Sequence, residues 1–261
     1  MTAITPRTTF VGIQLLSNIG HSHRTFCYIG LDGSLKLVGI GTGTFEEVLA
    51  YAGGQVEAFV AVNAPRQPNM GLMRQETYRQ KLELPPKTAS WRDYRVVEFL
   101  LRQRRIPVLR TGSIREKCPP WMQDGFELFS QLDKLGFCAY PAENDLRQTL
   151  EVHPHAVFCA LLGQAPFGRE SLEGRLQRQL ILNQKGVEVS DPMRFFEEVT
   201  PYKLLNGVLP LDEIYSPGEL DAFSAAFTAW MAANHQDEVT LLGDSVEGQI
   251  VLPAANLKDR Y

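Results

Sequence analysis

Apolar residues run almost unbroken from Phe10 to Leu16 and again from Ala58 to Val62. Runs this short and this continuous predict strands buried on both faces rather than helices. Between them, Arg24 to Leu31 and Leu35 to Ile40 form a second and a third strand around Asp32-Gly33, a dipeptide that tolerates the positive φ of a two-residue type I′ turn. Ser17 to His23 is a polar connection, and glycine-rich Gly39–Gly43 ends the third strand. Thr44, with Glu47 three residues on, predicts a capping box and a helix to about Ala52, stopped by Gly53-Gly54. Asn63-Ala64-Pro65 breaks the fourth strand. Three strands, a helix and a further strand imply a crossover that lays the fourth strand parallel to an earlier one. The expectation is a mixed sheet in an α/β layer architecture.

The middle of the chain, Gln67 to Phe137, reads as a helical insertion. Met70–Leu82 and Trp91–Arg105 have helical patterns separated by Pro85-Pro86, Ile106–Leu109 is a candidate strand, and Trp121–Leu135 is an amphipathic helix stopped at Gly136. The alternation of strand and helix then resumes. Thr149–Val152 predicts a strand ending at His153-Pro154, and Ala156–Leu162 a helix. Ser171 caps a helix to Lys185 with Leu172, Leu176, Leu180 and Ile181 on one stripe, and Gly186 stops it. Glu219–Asn234 is an alanine-rich helix fit for close packing on a sheet, and Val239–Leu252 reads as a hairpin turning near Gly243-Asp244. No repeat or linker divides the 261 residues, which predicts one domain.

Composition narrows this. Hydrophobic residues at 44% and charged residues at 21% are those of a globular chain, which excludes a disordered or collagen-like one. The net charge of -4, from 26 Lys+Arg against 30 Asp+Glu, argues against coating nucleic acid through bulk positive charge. It leaves room for a local basic face. No run approaches the 18 or more apolar residues of a transmembrane helix, and the first ten residues lack a signal-peptide core, so the expectation is a cytoplasmic protein outside the membrane. Cys27, Cys118, Cys138 and Cys159 form no CxxC pair, so they are expected as buried reduced thiols rather than a zinc or disulfide framework.

Polar side chains at strand ends are the candidate chemistry. Gln14 lies on the first strand, Asn63 closes the fourth, Glu151 sits on the later strand, and Asp221 lies in the first turns of the alanine-rich helix. In an α/β sheet the strand ends bring distant segments to one crevice. Carboxylates meeting there can hold Mg²⁺ through oxygen ligands. His153 and His155, flanking Pro154, and His21 and His23, flanking Ser22, are alternative metal or proton-transfer groups, or polar residues at a strand end and in a surface loop. Arg66 and Arg74 follow the Asn63 strand end and can meet a phosphate or form ion pairs. The cluster Arg102, Arg104, Arg105 and Arg110 reads as a solvated helix face or a phosphate contact. Gly39, Gly41 and Gly43 lack the Lys-Ser/Thr of a phosphate loop and read as a tight turn.

Five segments in order, Val11-Gly-Ile-Gln14, Val62-Asn-Ala-Pro65, Glu151-Val-His-Pro154, Glu219-Leu-Asp-Ala222 and Glu247-Gly-Gln-Ile-Val-Leu-Pro253, resemble the domain of unknown function 429 family, predicted nucleases of RNase H-like fold. The resemblance implies a mixed sheet of about five strands flanked by helices, with acidic residues at its centre, and Mg²⁺ or Mn²⁺ as cofactor for phosphodiester hydrolysis. It further implies metal ligands at Glu151 and Asp221. The family pattern carries Asp at the position of Gln14 and commonly at that of Asn63, and here both are amides. An amide oxygen brings no charge, whereas a dication and a carboxylate about 4 Å apart attract by roughly 8 kcal/mol at an effective ε of 20. The expected site is therefore Glu151, Asp221, Asn63, Gln14 and His153, the last as proton shuttle, with Arg66 and Arg74 toward a nucleic-acid substrate. Two functions follow: a metal-dependent nuclease with a partly degenerate site, or an inactive binding protein that uses the same crevice for a nucleotide, a nucleic acid or a protein partner.

Overall fold

The two unbroken apolar runs become the central strands of a mixed sheet. The computed structural model describes residues 8–16, 25–83, 91–143 and 145–261. The predicted features at Ser17–His23, with His21 and His23, and at Pro85-Pro86 lie outside the described residues. Strand β1 (Thr9–Leu16) pairs antiparallel with β2 (Thr25–Leu31), which pairs antiparallel with β3 (Leu37–Gly43). Helix α1 (Phe45–Gly53) then crosses to β4 (Ala58–Val62), which lies parallel to β1 as the crossover requires. The capping box at Thr44 and Glu47 forms as expected.

Beyond β4 come α2 (Glu76–Lys81), α3 (Val96–Gln103) and α4 (Pro120–Lys134), then the short β5 (Cys138–Ala139) and β6 (Arg147–Glu151). Strand β6 lies parallel to β4. Its other edge is shared, with β5 along Gln148–Thr149 and a later strand at Glu151. Helices α5 (Pro154–Leu162), α6 (Leu172–Gln184), α7 (Arg194–Glu198), α8 (Pro201–Leu205) and α9 (Pro217–Asn234) lead to the hairpin of β7 (Thr240–Asp244) and β8 (Gly248–Leu252). The order across the sheet is β3-β2-β1-β4-β6-β8-β7, with β5 as a branch. Eight strands form where about five were expected, because the tail hairpin and β5 extend the same sheet. Among the described residues no helix is long and apolar enough to cross a membrane.

Several local expectations change. Residues 32–36 make a longer turn than the predicted two-residue one: Asp32 accepts from the Ser34 and Lys36 N–H groups, and Leu35 takes the left-handed conformation at φ 61°. Gly39, Gly41 and Gly43 lie within β3 rather than in a tight turn, because Tyr51, Tyr28 and Glu47 fill the space beside them. Ile106–Leu109 is irregular, not a strand. Cys138 is exposed, while the other three cysteines are buried. The tail hairpin turns at Ser245–Glu247, slightly later than predicted. On α6 the buried residues are Gly174, Arg178, Gln179 and Leu182, so polar groups face inward and the predicted leucine stripe is only half-buried.

The pleat sorts side chains to two cores. Phe10 of β1, Phe59 and Ala61 of β4 and Leu150 of β6 pack with α9 residues such as Ala222, Ala225 and Ala226. Val11, Ile13 and Leu15, with Val60 and Val62, face Val48 and Ala52 of α1 and Leu128, Phe129 and Leu132 of α4. On the α9 side the approach is backbone to backbone: a Cβ on Gly12 would lie 1.9 Å from the Ala222 carbonyl oxygen and 2.4 Å from the Ala226 nitrogen. Neither atom can move without moving the helix. Gly12→Ala is therefore expected to cost about 3 kcal/mol or more in urea unfolding, the upper range for overpacking. A loss below about 1 kcal/mol would show that α9 does not sit on β1 in this way.

Candidate functional site

Strands β1, β4 and β6 run parallel, and their carboxyl ends open onto a crevice, where such sheets place ligands. Gln14 is buried near the end of β1, and Asn63 follows β4. Asn63 Nδ2 donates to Gln14 Oε1 at 2.6 Å, and Gln14 Nε2 donates to the Leu15 carbonyl at 2.7 Å. Both the oxygen and the nitrogen of the Gln14 amide are thus partnered within the chain. Asn63 Oδ1 makes no hydrogen bond among the described residues, and Asn63 lines both cavities of the crevice.

Glu151 ends β6. Strand alternation sets its direction: Leu150 belongs to the α9 core, so Glu151 turns to the opposite face. There, Arg95 Nη2 donates to both carboxylate oxygens, at 3.0 and 2.9 Å, and the Arg66 backbone N–H donates to Oε1 at 2.6 Å. Arg95 and Glu151 are 2% and 4% exposed, so this is a buried ion pair. Arg95 Nη2 also donates to the Glu247 carbonyl at 2.9 Å. Gly248, at φ +108°, leaves the room: a Cβ there would lie 2.3 Å from Arg95 Nη2 and 2.5 Å from Glu151 Oε1. Burial pushes the Glu151 carboxyl upward, while Arg95 and the Arg66 N–H pull it back.

The segment carrying Arg95 is fixed by two more buried acids. Glu98 accepts from the Arg95 backbone N–H and from the Thr111 N–H and hydroxyl, at 3.0, 3.0 and 2.5 Å. Glu247, in the β7–β8 turn, accepts from the Val96 N–H at 2.8 Å and the Met70 and Gly71 N–H groups at 3.1 and 3.2 Å. The helical insertion is thus tied to the sheet by carboxylates that hold backbone donors, a strong class of hydrogen bond.

Asp221 occupies the other face. It lies in the second turn of α9, 7% exposed at its side chain, and accepts from Arg169 Nε at 2.8 Å. Burial pushes its carboxyl up to about 6, against the pull of Arg169. Around it are Arg178, His155 and His153. His153 caps α5, its Nδ1 accepting from the Ala156 N–H at 3.2 Å, which leaves the proton on Nε2. Burial and His155 push it down to about 4. At neutral pH His153 is therefore uncharged, with Nε2 as its donor.

Two cavities of the crevice are lined by described residues. One, of 260 Å³, contains Glu151 and Arg95; the other, of 450 Å³, contains Asp221, Arg169 and Arg178. Gln14, Asn63 and His153 line both, whereas Glu151 and Asp221 do not share one. Arg66 and Arg74 line neither. The Arg66 guanidinium donates to Thr149 at 2.6 Å and to Asp133 and lies over the Phe129 ring, and exposed Arg74 pairs with Asp93 at 3.2 Å. Arg110 reaches Asp93 at 3.9 Å, and Arg102 lies over the Tyr94 ring. Sequence reasoning missed Arg95, Arg169 and Arg178. Only Arg178 carried a signal, a charge at the centre of an amphipathic helix. Among the described residues no three His, Cys, Asp or Glu side chains are placed to hold a metal ion.

The family model described as "Protein of unknown function (DUF429)" matches residues 101–247, a stretch that contains the Glu151–Pro154 and Glu219–Ala222 segments. No curated protein and no solved structure matches the chain.

Two measurements check the electrostatics. Arg95→Met leaves Glu151 buried and unpaired and should cost about 3–5 kcal/mol in urea unfolding, whereas Arg95→Met with Glu151→Leu should recover most of it. A double variant no more stable than the single one would mean that the pair is not the source of the cost. For Asp221 the sign runs the other way. Its folded-state value near 6 lies above the unfolded one near 3.8, so the ionised group lowers stability above pH 6 and the penalty fades as pH falls toward 4. Asp221→Asn should therefore be more stable than wild type at pH 8, by roughly 3 kcal/mol, and converge with it near pH 4. A gap independent of pH would remove Asp221 as the titrating group.

Proposed function

The chain belongs to the DUF429 family, and from that premise we propose that it is a catalytically silent binding protein built on a nuclease-type RNase H-like fold, taking a phosphate-bearing nucleic-acid or nucleotide ligand in the crevice without a metal pair. One observation carries this reading: each carboxylate of the expected metal site is already neutralised by its own guanidinium, Glu151 by Arg95 and Asp221 by Arg169, and the other two positions are amides bonded to each other. A Mg²⁺ or Mn²⁺ about 5 Å from the Arg95 guanidinium would be repelled by roughly 7 kcal/mol at an effective ε of 20. The donor set does not fit the paired ions of a two-metal nuclease. The sheet order β3-β2-β1-β4-β6, with β2 antiparallel, supports the fold. Arg169, Arg178 and the donor on His153 supply the anion recognition.

Metal-dependent phosphodiester hydrolysis is the second reading, and one observation favours it. Arg169 is 40% exposed, so it can swing into solvent and free Asp221 for a single ion.

Labelled single-stranded DNA and RNA, followed by fluorescence anisotropy and by gel, separate the two. Binding that persists in EDTA, with no cleavage in Mn²⁺, is the expected result. Cleavage that requires Mn²⁺ and is lost in Asp221→Asn would establish the nuclease instead, and absence of binding to any strand and to adenosine 5′-monophosphate would overturn the binding reading.

A further inference from the structure

The two cavities of the crevice differ in chemistry as well as in side. The smaller is walled by Leu15, Pro65, Val108, Leu109, Trp121 and Met122, above the Arg95–Glu151 pair. Its 260 Å³ is at the small end of ligand pockets, which suits one flat ring system rather than a run of stacked bases. Trp121 is half-buried in that wall, at the start of α4, and offers an aromatic surface to such a ring.

The larger cavity is built for an anion. Arg178 is 1% exposed and lines it, yet has no carboxylate within ion-pair distance among the described residues; its Nη1 donates only to the Phe167 and Gly174 carbonyls, at 3.0 and 2.9 Å. A guanidinium this deep, held by two carbonyl oxygens and lying over the Phe158 ring at 5.3 Å, is costly unless an anion joins it. Arg169 gives Nε to Asp221 and Nη1 to Glu170, which leaves Nη2 without a partner among the described residues. The amino end of α5, at Pro154 and His155, borders the same space and adds its positive dipole end. One buried carboxylate, Asp221, thus faces two guanidiniums.

Between the cavities, Gln14, Asn63 and His153 form a polar sill. Asn63 Oδ1 can accept from a sugar hydroxyl, and His153 Nε2 can donate to a phosphate or sugar oxygen.

We infer that the crevice recognises a single nucleotide unit carrying a terminal phosphate monoester, with the phosphate at Arg169 and Arg178, the sugar over Asn63 and His153, and the base against Trp121. The inference rests on the binding function proposed above and names the ligand of that site. Free nucleoside monophosphates and the phosphorylated end of a strand share this chemistry.

Tryptophan fluorescence and calorimetry with adenosine 5′-monophosphate, ribose 5-phosphate, adenosine and inorganic phosphate test it, beside short oligonucleotides with and without a 5′-phosphate. The monophosphate should bind at least tenfold more tightly than adenosine, ribose 5-phosphate or inorganic phosphate alone. Trp121→Ala should weaken the monophosphate tenfold and ribose 5-phosphate little. Arg178→Met should weaken every phosphate ligand tenfold or more. Because Arg178 is buried and its loss can unfold the chain, Asp221→Asn provides a second test. Removing the one carboxylate that repels the phosphate should tighten the monophosphate severalfold, whereas a metal-bridged site would lose it. Preference for the 5′-phosphorylated oligonucleotide over the monophosphate would identify the strand end as source, and the reverse the free nucleotide. Equal binding of phosphorylated and unphosphorylated oligonucleotides would overturn this inference and leave the broader binding function standing. No binding of any strand or nucleotide would overturn both.

Discussion

A carboxylate at the end of a central strand, 4% exposed, has to be neutralised where it stands, and Glu151 sets this requirement for the whole molecule. Water cannot reach it in quantity, so a cation or several N–H donors must. The chain supplies both: the Arg95 guanidinium, and the backbone N–H of Arg66. Arg95 lies 56 residues earlier, in the insertion between β4 and β5, so meeting the requirement also decides where that insertion docks.

The rest of the buried polar network follows from holding Arg95 in place. Glu98 grips the backbone of Arg95 from one turn into α3, and Glu247 grips Val96 from the hairpin turn. Gly248 must lack a side chain for the guanidinium to reach Glu151 at all. Three acids that composition alone counts as negative charge are therefore gathered in one buried cluster, Glu151 paired with Arg95 and Glu98 and Glu247 held by backbone N–H donors. The same cluster leaves the Glu151 carboxylate matched within the chain itself, by the Arg95 guanidinium.

The pleat of the sheet explains the division of the crevice. Gln14 follows Ile13, and Glu151 follows Leu150, so each side chain takes the face opposite to its predecessor's core. Glu151 thus looks toward the insertion and Asp221 comes from the helix on the other face. Among the described residues their cavities meet at a sill formed by Gln14, Leu15, Asn63 and His153. A chamber with apolar walls above the Arg95–Glu151 pair lies on one side and one lined by Arg169, Arg178 and Asp221 on the other.

Much of this was legible in the sequence. The continuous apolar runs marked β1 and β4, the capping box marked the start of α1, and the alanines marked a helix able to pack closely on the sheet. The placing of Gln14, Asn63 and Glu151 near strand ends was equally readable, and His153 just after one. These are local properties, because periodicity, caps and breakers act over a few residues and so leave their mark there. What only the tertiary structure decided was pairing: that Glu151 meets Arg95, that Asp221 meets Arg169, that Arg66 turns away to Asp133, and that Arg178 is buried with no ion-pair partner among the described residues. Those partners are set by how the insertion and α6 dock on the sheet, over separations of about fifty residues or more, and no local pattern records which guanidinium reaches which carboxylate.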